Sequence, residues 1–181
     1  MAPNTGTVQQ PKAPAEKENL LAAAARKIGL PARRYAESDV MAFIHGHKTL
    51  ADLEGIPRAA IHRMARRGFE FLERGDLQKA TVVFEGLSAL DPYDAWLHTA
   101  LGVTYQRDDR LRDAERHLRR ALAINPYSAD ARVSLAELLA TQGEMKLAAE
   151  ELRRVLKDHP GSEAPAAVRA RSVLAAATKA A

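Results

Sequence analysis

An all-helical array of paired helices is predicted by three observations. The first is composition: about a fifth of the 181 residues are alanine, only nine (four Phe, four Tyr, one Trp) are aromatic, and Gly and Pro are too dispersed for a β-rich chain. The second is apolar spacing, with Leu20, Leu21, Ala24, Ala25 and Ile28 already recurring on one helical face. The third is a 34-residue period shared by four series: Gly68, Gly102 and Ala136; Ala80, Ala114 and Ala148; Phe84, Leu118 and Leu152; Pro92, Pro126 and Pro160.

Residues 1–15 hold three prolines and almost no large apolar side chain, and are read as a disordered tail. Residues 16–60 are read as an N-terminal helical region. Its first helix is expected from Glu16 to Ile28, with Gly29 and Pro31 as stop signals. Ser38 or Asp39 is expected to cap a short helix through Ile44, and Thr49 another turn to Glu54. The period then places three helix-turn-helix units at 61–94, 95–128 and 129–162. Each proline biases its predecessor away from helix, so the second helices should end near Leu90–Asp91, Asn125 and His159. Asp94 and Ser128 can cap the helices that follow. Residues 163–181 are expected to add a capping helix, because the last unit would otherwise expose an apolar face. Small residues at 68, 102 and 136 are expected to let each first helix approach Ala80, Ala114 or Ala148 of its partner.

A period of 34 residues resembles that of the tetratricopeptide repeat (TPR), whose pattern runs W-x2-L-G-x2-Y, A-x3-F, P. The middle unit matches as His98-x2-Leu101-Gly102-x2-Tyr105, Ala114-x3-Leu118, Ala121 and Pro126. The resemblance implies an all-α TPR helical array of three helix-turn-helix repeats, with N-terminal helices and a C-terminal capping helix.

Charge and motif content narrow the function. The chain has 27 Lys and Arg against 23 Asp and Glu, a net charge of +4, but residues 61–162 hold 16 of each. The repeat array is therefore neutral, no phosphate-tracking surface is expected, and nucleic acid is not an expected partner. Arg112, Arg116, Arg119 and Arg120, interleaved with Asp113 and Glu115, read as a solvated outer face rather than an acidic docking site. Cysteine is absent, which removes disulfides, thiolate metal sites and thiol nucleophiles. No glycine-rich phosphate loop, HExxH or GxSxG occurs, His45-x-His47 lacks further ligands nearby, and Asp108-Asp109 reads as a solvated turn. No enzyme, cofactor or metal is expected. Nothing approaches an export signal or the stretch of about 20 apolar residues that a membrane span needs, so a cytoplasmic chain without direct membrane insertion is expected.

The remaining capacity of such an array is to hold a peptide along its first helices. Positions 2, 5, 9 and 12 of each unit are His62, Ala65, Phe69 and Leu72, then Trp96, Thr99, Val103 and Gln106, then Asp130, Val133, Glu137 and Ala140. Two thirds of these are apolar or small, and Ala65, Phe69, Leu72, Trp96, Thr99, Val103, Gln106 and Val133 are taken as the peptide-binding groove. Phe69, Leu72 and Trp96 could equally pack between repeats. Where co-chaperones grip acidic C-termini with Lys and Asn, this chain has Ala65, Phe69, Ala100, Asp130 and Ser134, so that clamp is missing. Leu20, Leu21, Ala24 and Ile28 form a stripe for dimerisation, or for folding back onto the repeats.

From Gly46 to Gln106, Thr49-Leu50-Ala51-x-Leu53, Gly68-Phe69, Leu90-Asp91-x-Tyr93-Asp94 and Leu101-Gly102-x-x-Tyr105-Gln106 resemble the class II chaperones of type III secretion, over roughly residues 46–160. The resemblance implies a cytoplasmic chaperone. It would hold an extended apolar segment of a secreted, hydrophobic translocator-type protein in its concave groove and would form a homodimer through its N-terminal helix. The alternative is a generic repeat scaffold joining partners in a multiprotein assembly.

Overall fold

The computed structural model describes residues 35–179, and among them every regular element is a helix. Two short helices, α1 (Glu37–Ile44) and α2 (Leu50–Leu53), lead into three antiparallel pairs. These are α3 (Arg58–Glu73) with α4 (Leu77–Leu90), α5 (Ala95–Arg107) with α6 (Leu111–Ile124), and α7 (Ala129–Thr141) with α8 (Met145–Asp158); α9 (Pro165–Lys179) closes the array against α7 and α8. The tail at 1–15 and the Glu16–Ile28 helix, including the Leu20, Leu21, Ala24 and Ile28 stripe, lie outside the described residues.

The repeat is written into the backbone. Asp91, Asn125 and His159 end the second helices with φ of −133°, −130° and −130°, outside the helical region that a following proline disfavours. Within the pairs, Gly75, Asp109 and Gly143 make the turns with φ of +78°, +57° and +82°. Glycine adopts this left-handed region freely. Asp109 occupies it at some cost, aspartate being among the few side chains that tolerate it.

Capping follows the expected residues at three helices. Thr49 and Asp52 form a reciprocal capping box on α2, the Asp94 carboxylate accepts from the Trp96 and Leu97 amides, and Ser128 Oγ accepts from the Ala131 amide. The cap expected from Ser38 or Asp39 is not formed. Helix α1 starts earlier, after Ala36, and Asp39 instead accepts from Lys48 Nζ at 2.7 Å.

The core runs the length of the array, through Ile61, Phe84, Leu101, Leu118, Leu138 and Leu152, all essentially inaccessible. The small residues at the crossings do not face the alanines first. A Cβ on Gly68 would stand 2.8 Å from the Phe84 ring, and one on Gly102 would stand 2.5 Å from Leu118 Cγ and 2.7 Å from its Cδ2, with the Ala114 carbonyl oxygen farther off at 3.3 Å. The third unit carries Ala136 opposite Leu152 at the matching positions.

Candidate peptide-binding groove

First helices α3, α5 and α7 line one side of the array, and α9 closes its end. Between them lie two adjoining cavities of about 320 and 690 Å³ that share Val103, Arg107 and Arg169. The smaller is walled by Phe69, Leu72, Trp96, Thr99, Ala100 and Ser134, with Glu73 and Asp130 also on its lining. The larger continues along Gln106, Leu111, Glu137 and Thr141, with Asp109 at its edge.

An aromatic row forms the smaller cavity's wall. The Phe69 ring meets Phe84 edge-on at 5.0 Å and Trp96 at 5.2 Å, while His62 lies 4.7 Å from Trp96. Asp94 fixes this end twice over: Oδ1 caps α5 at the Trp96 amide, and Oδ2 accepts from His62 Nε2 at 2.7 Å. Trp96 is thus held in place yet remains 41% exposed. Covering the remainder of an indole yields about 2 kcal/mol, which makes Trp96 the strongest single anchor on the groove.

Six of the eight expected groove residues, Phe69, Leu72, Trp96, Thr99, Val103 and Gln106, line these cavities. Ala65 and Val133 do not. Both are fully buried and belong to the core, because at positions 65 and 133 the first helix faces its neighbours rather than the open side. Two residues that matter here escaped the reading of the first helices. Arg107 stands one place beyond Gln106 and donates from Nη1 to the Leu72 carbonyl at 3.2 Å. Arg169 enters from α9 and chelates Glu137 at 2.5 and 3.3 Å. The step from position 12 to 13 would have found Arg107; only the packing of α9 reveals Arg169.

Away from the groove, a polar cluster joins the helices of the middle unit. His98 Nε2 donates to the Pro92 carbonyl at 3.1 Å, so in the neutral ring Nδ1 is the acceptor for His117 Nδ1–H, 3.0 Å away. Burial lowers the pKa of both imidazoles, that of His117 to about 4 with help from the neighbouring His98 and Arg116. Burial and a hydrogen bond to Glu85 push the Tyr105 phenol up to about 12. On the outer surface of α6, Asp113 pairs with Arg110 and Arg116, and Glu115 with Arg119. Arg110 and Arg116 hold the Asp113 carboxyl below the usual range. That surface is laced by its own ion pairs.

The tetratricopeptide-repeat sequence pattern matches residues 106–172. The fold is a tetratricopeptide-repeat array. A type III secretion complex from Aeromonas hydrophila superposes with a TM-score of 0.68 at 23% identity, covering 80% of this chain and 97% of that one. The Yersinia enterocolitica type III secretion chaperone SycD, in complex with a peptide of the translocator YopD, gives 0.61 at 20% identity, covering 69% and 97%. The first TPR of Spaghetti (RPAP3), bound to an HSP90 peptide, gives 0.59 at 20% identity, covering 66% and 91%. At these identities the likeness is one of fold. Among curated proteins, none matches the sequence. No helix among the described residues is long and apolar enough to cross a membrane.

Proposed function

We propose that the array is a cytoplasmic, non-enzymatic chaperone. Its groove holds an extended apolar segment of a secreted, translocator-type protein, and so keeps that protein from associating or inserting into membranes before export. The observation that carries this reading is the half-exposed Trp96, braced by Phe69 and His62 beside a cavity with Leu72 and Val103 in its wall. Support comes from the likeness in fold to SycD, which is described with a translocator peptide. Ordering an extended segment offsets much of the gain from burying its side chains, so affinity is expected at about the micromolar level.

Co-purification of the full chain with the secreted translocator of its own source tests the reading. The complex should form, and Val103→Arg should abolish it while helical content stays at the parent value; a folded Val103→Arg protein that retains the translocator overturns the groove assignment. Arg116→Glu, on the outer face, should change little. A homodimer is proposed as well, on the stripe at Leu20, Leu21, Ala24 and Ile28 and on the exposed Met41, Phe43 and Ile44 of α1. Sedimentation at a monomer mass across micromolar concentrations would remove it.

A further inference from the structure

Arg107 stands at the junction of the two cavities and lines both. Its guanidinium is tied by one hydrogen bond, to the Leu72 carbonyl at the end of α3, which leaves most of its five N–H donors open to the groove. No carboxylate lies within ion-pair distance of it among the described residues. Its neighbour Arg169 is different, because both oxygens of Glu137 already hold it. The groove therefore presents one positioned, uncompensated guanidinium next to an apolar, aromatic-walled cavity. Arg107 is exposed, and a guanidinium tethered through one nitrogen can bind a carboxylate through its remaining paired N–H donors.

Building on the groove reading above, we infer that Arg107 binds an acidic side chain of the captured segment, so that the groove selects an extended peptide in which an apolar anchor for the Trp96 cavity is accompanied by Asp or Glu. The carboxylate is a side chain rather than a chain end. Cavities lie on both sides of Arg107, so a segment passes the guanidinium instead of stopping at it. Asp130 sits in the first turn of α7 and lines the smaller cavity. Glu73, at the end of α3, is exposed. These two acids, together with Asp109 at the edge of the larger cavity, set the opposite expectation, a preference for a basic residue, and the experiment reads it directly.

The full chain is titrated with capped twelve-residue peptides carrying two leucines, in which each other position in turn is Glu, Gln or Lys, and emission of the sole tryptophan reports binding. Glu at one or two adjacent positions should tighten binding about tenfold over Gln, the size of effect a charged hydrogen-bonded pair supplies. That gain should vanish in Arg107→Gln, which removes the charge and keeps a polar side chain, while the Gln peptides bind both proteins alike. The inference is overturned by the absence of any Glu preference, by one that survives in Arg107→Gln, by a preference for Lys, or by tightening only when the peptide ends in a free carboxylate. In each of those cases leucine-dependent binding still stands and the groove reading with it. If no peptide perturbs Trp96 or binds at all, both fall together.

Discussion

Gly102 shows how one hydrogen atom in place of a methyl group sets the spacing of two helices. Alanine there would gain about 1 kcal/mol of helix propensity, but its Cβ would stand 2.5 Å from Leu118 Cγ in a core position with nowhere to move. Overpacking of this kind costs about 1–3 kcal/mol, so the clash outweighs the propensity. Gly102→Ala is expected to lower the unfolding free energy by about 1 kcal/mol, whereas Gly86→Ala, on an exposed face with nothing within 4 Å, should raise it by up to about 1 kcal/mol. Urea unfolding of the two variants beside the parent measures the difference, and equal shifts would contradict it. The rule was legible in the sequence as a small residue every 34 positions; its actual partners, Phe84 and Leu118, were not, because spacing alone does not say which side chain of the facing helix points at the gap.

Element boundaries were read well wherever a local chemical signal sets them. Proline fixes the conformation of Asp91, Asn125 and His159, and Asp94, Ser128 and Thr49 satisfy the first free amides of the helices they precede. Helix α1 was harder. Both candidate caps, Ser38 and Asp39, fall inside the first turn of a helix that already starts at Glu37, and Asp39 accepts instead from Lys48, a tertiary contact. The pairing of His98 with His117 was invisible for the same reason, since the residues are 19 apart and not themselves repeated.

That pairing gives the second repeat a pH dependence with a definite sign. Both imidazoles are held below their ordinary pKa of 6.5 in the folded chain, so the unfolded chain takes up protons first as pH falls. The stability they contribute is complete above about pH 6.5 and is lost progressively as pH falls towards 4. Arg116 and Arg120 on α6 oppose protonation, while Asp91, Asp94, Asp113 and Glu85 favour it; burial is the larger influence at both rings. Thermal unfolding between pH 7.5 and 4.5 should show a falling midpoint that His117→Gln flattens. An acid dependence unchanged by that substitution would place its origin elsewhere.

At the scale of the whole molecule, the repeat turns a short rule into an extended surface. Each unit contributes a first helix to one side, and three units plus α9 are long enough to enclose two cavities in series. Which positions face that side was legible for α3 and α5, through Phe69, Leu72, Trp96, Thr99, Val103 and Gln106. It failed at Ala65 and Val133, where the helix turns into the core, and at the far end, where α9 brings Arg169 to Glu137. The consequence for experiment is concrete: Arg at position 65 would test folding rather than binding, whereas Val103 is only partly buried and borders both cavities.

The account stands on the claim that a client segment covers Trp96. Because the chain has one tryptophan, its emission during titration with the client segment, followed in parallel by the anisotropy of a labelled copy of that segment, tests this directly. The account predicts a blue shift and protection from acrylamide quenching that saturate together with the anisotropy, and loss of all three signals in Val103→Arg. Saturable binding by anisotropy that leaves the emission and quenching of Trp96 unchanged would contradict it.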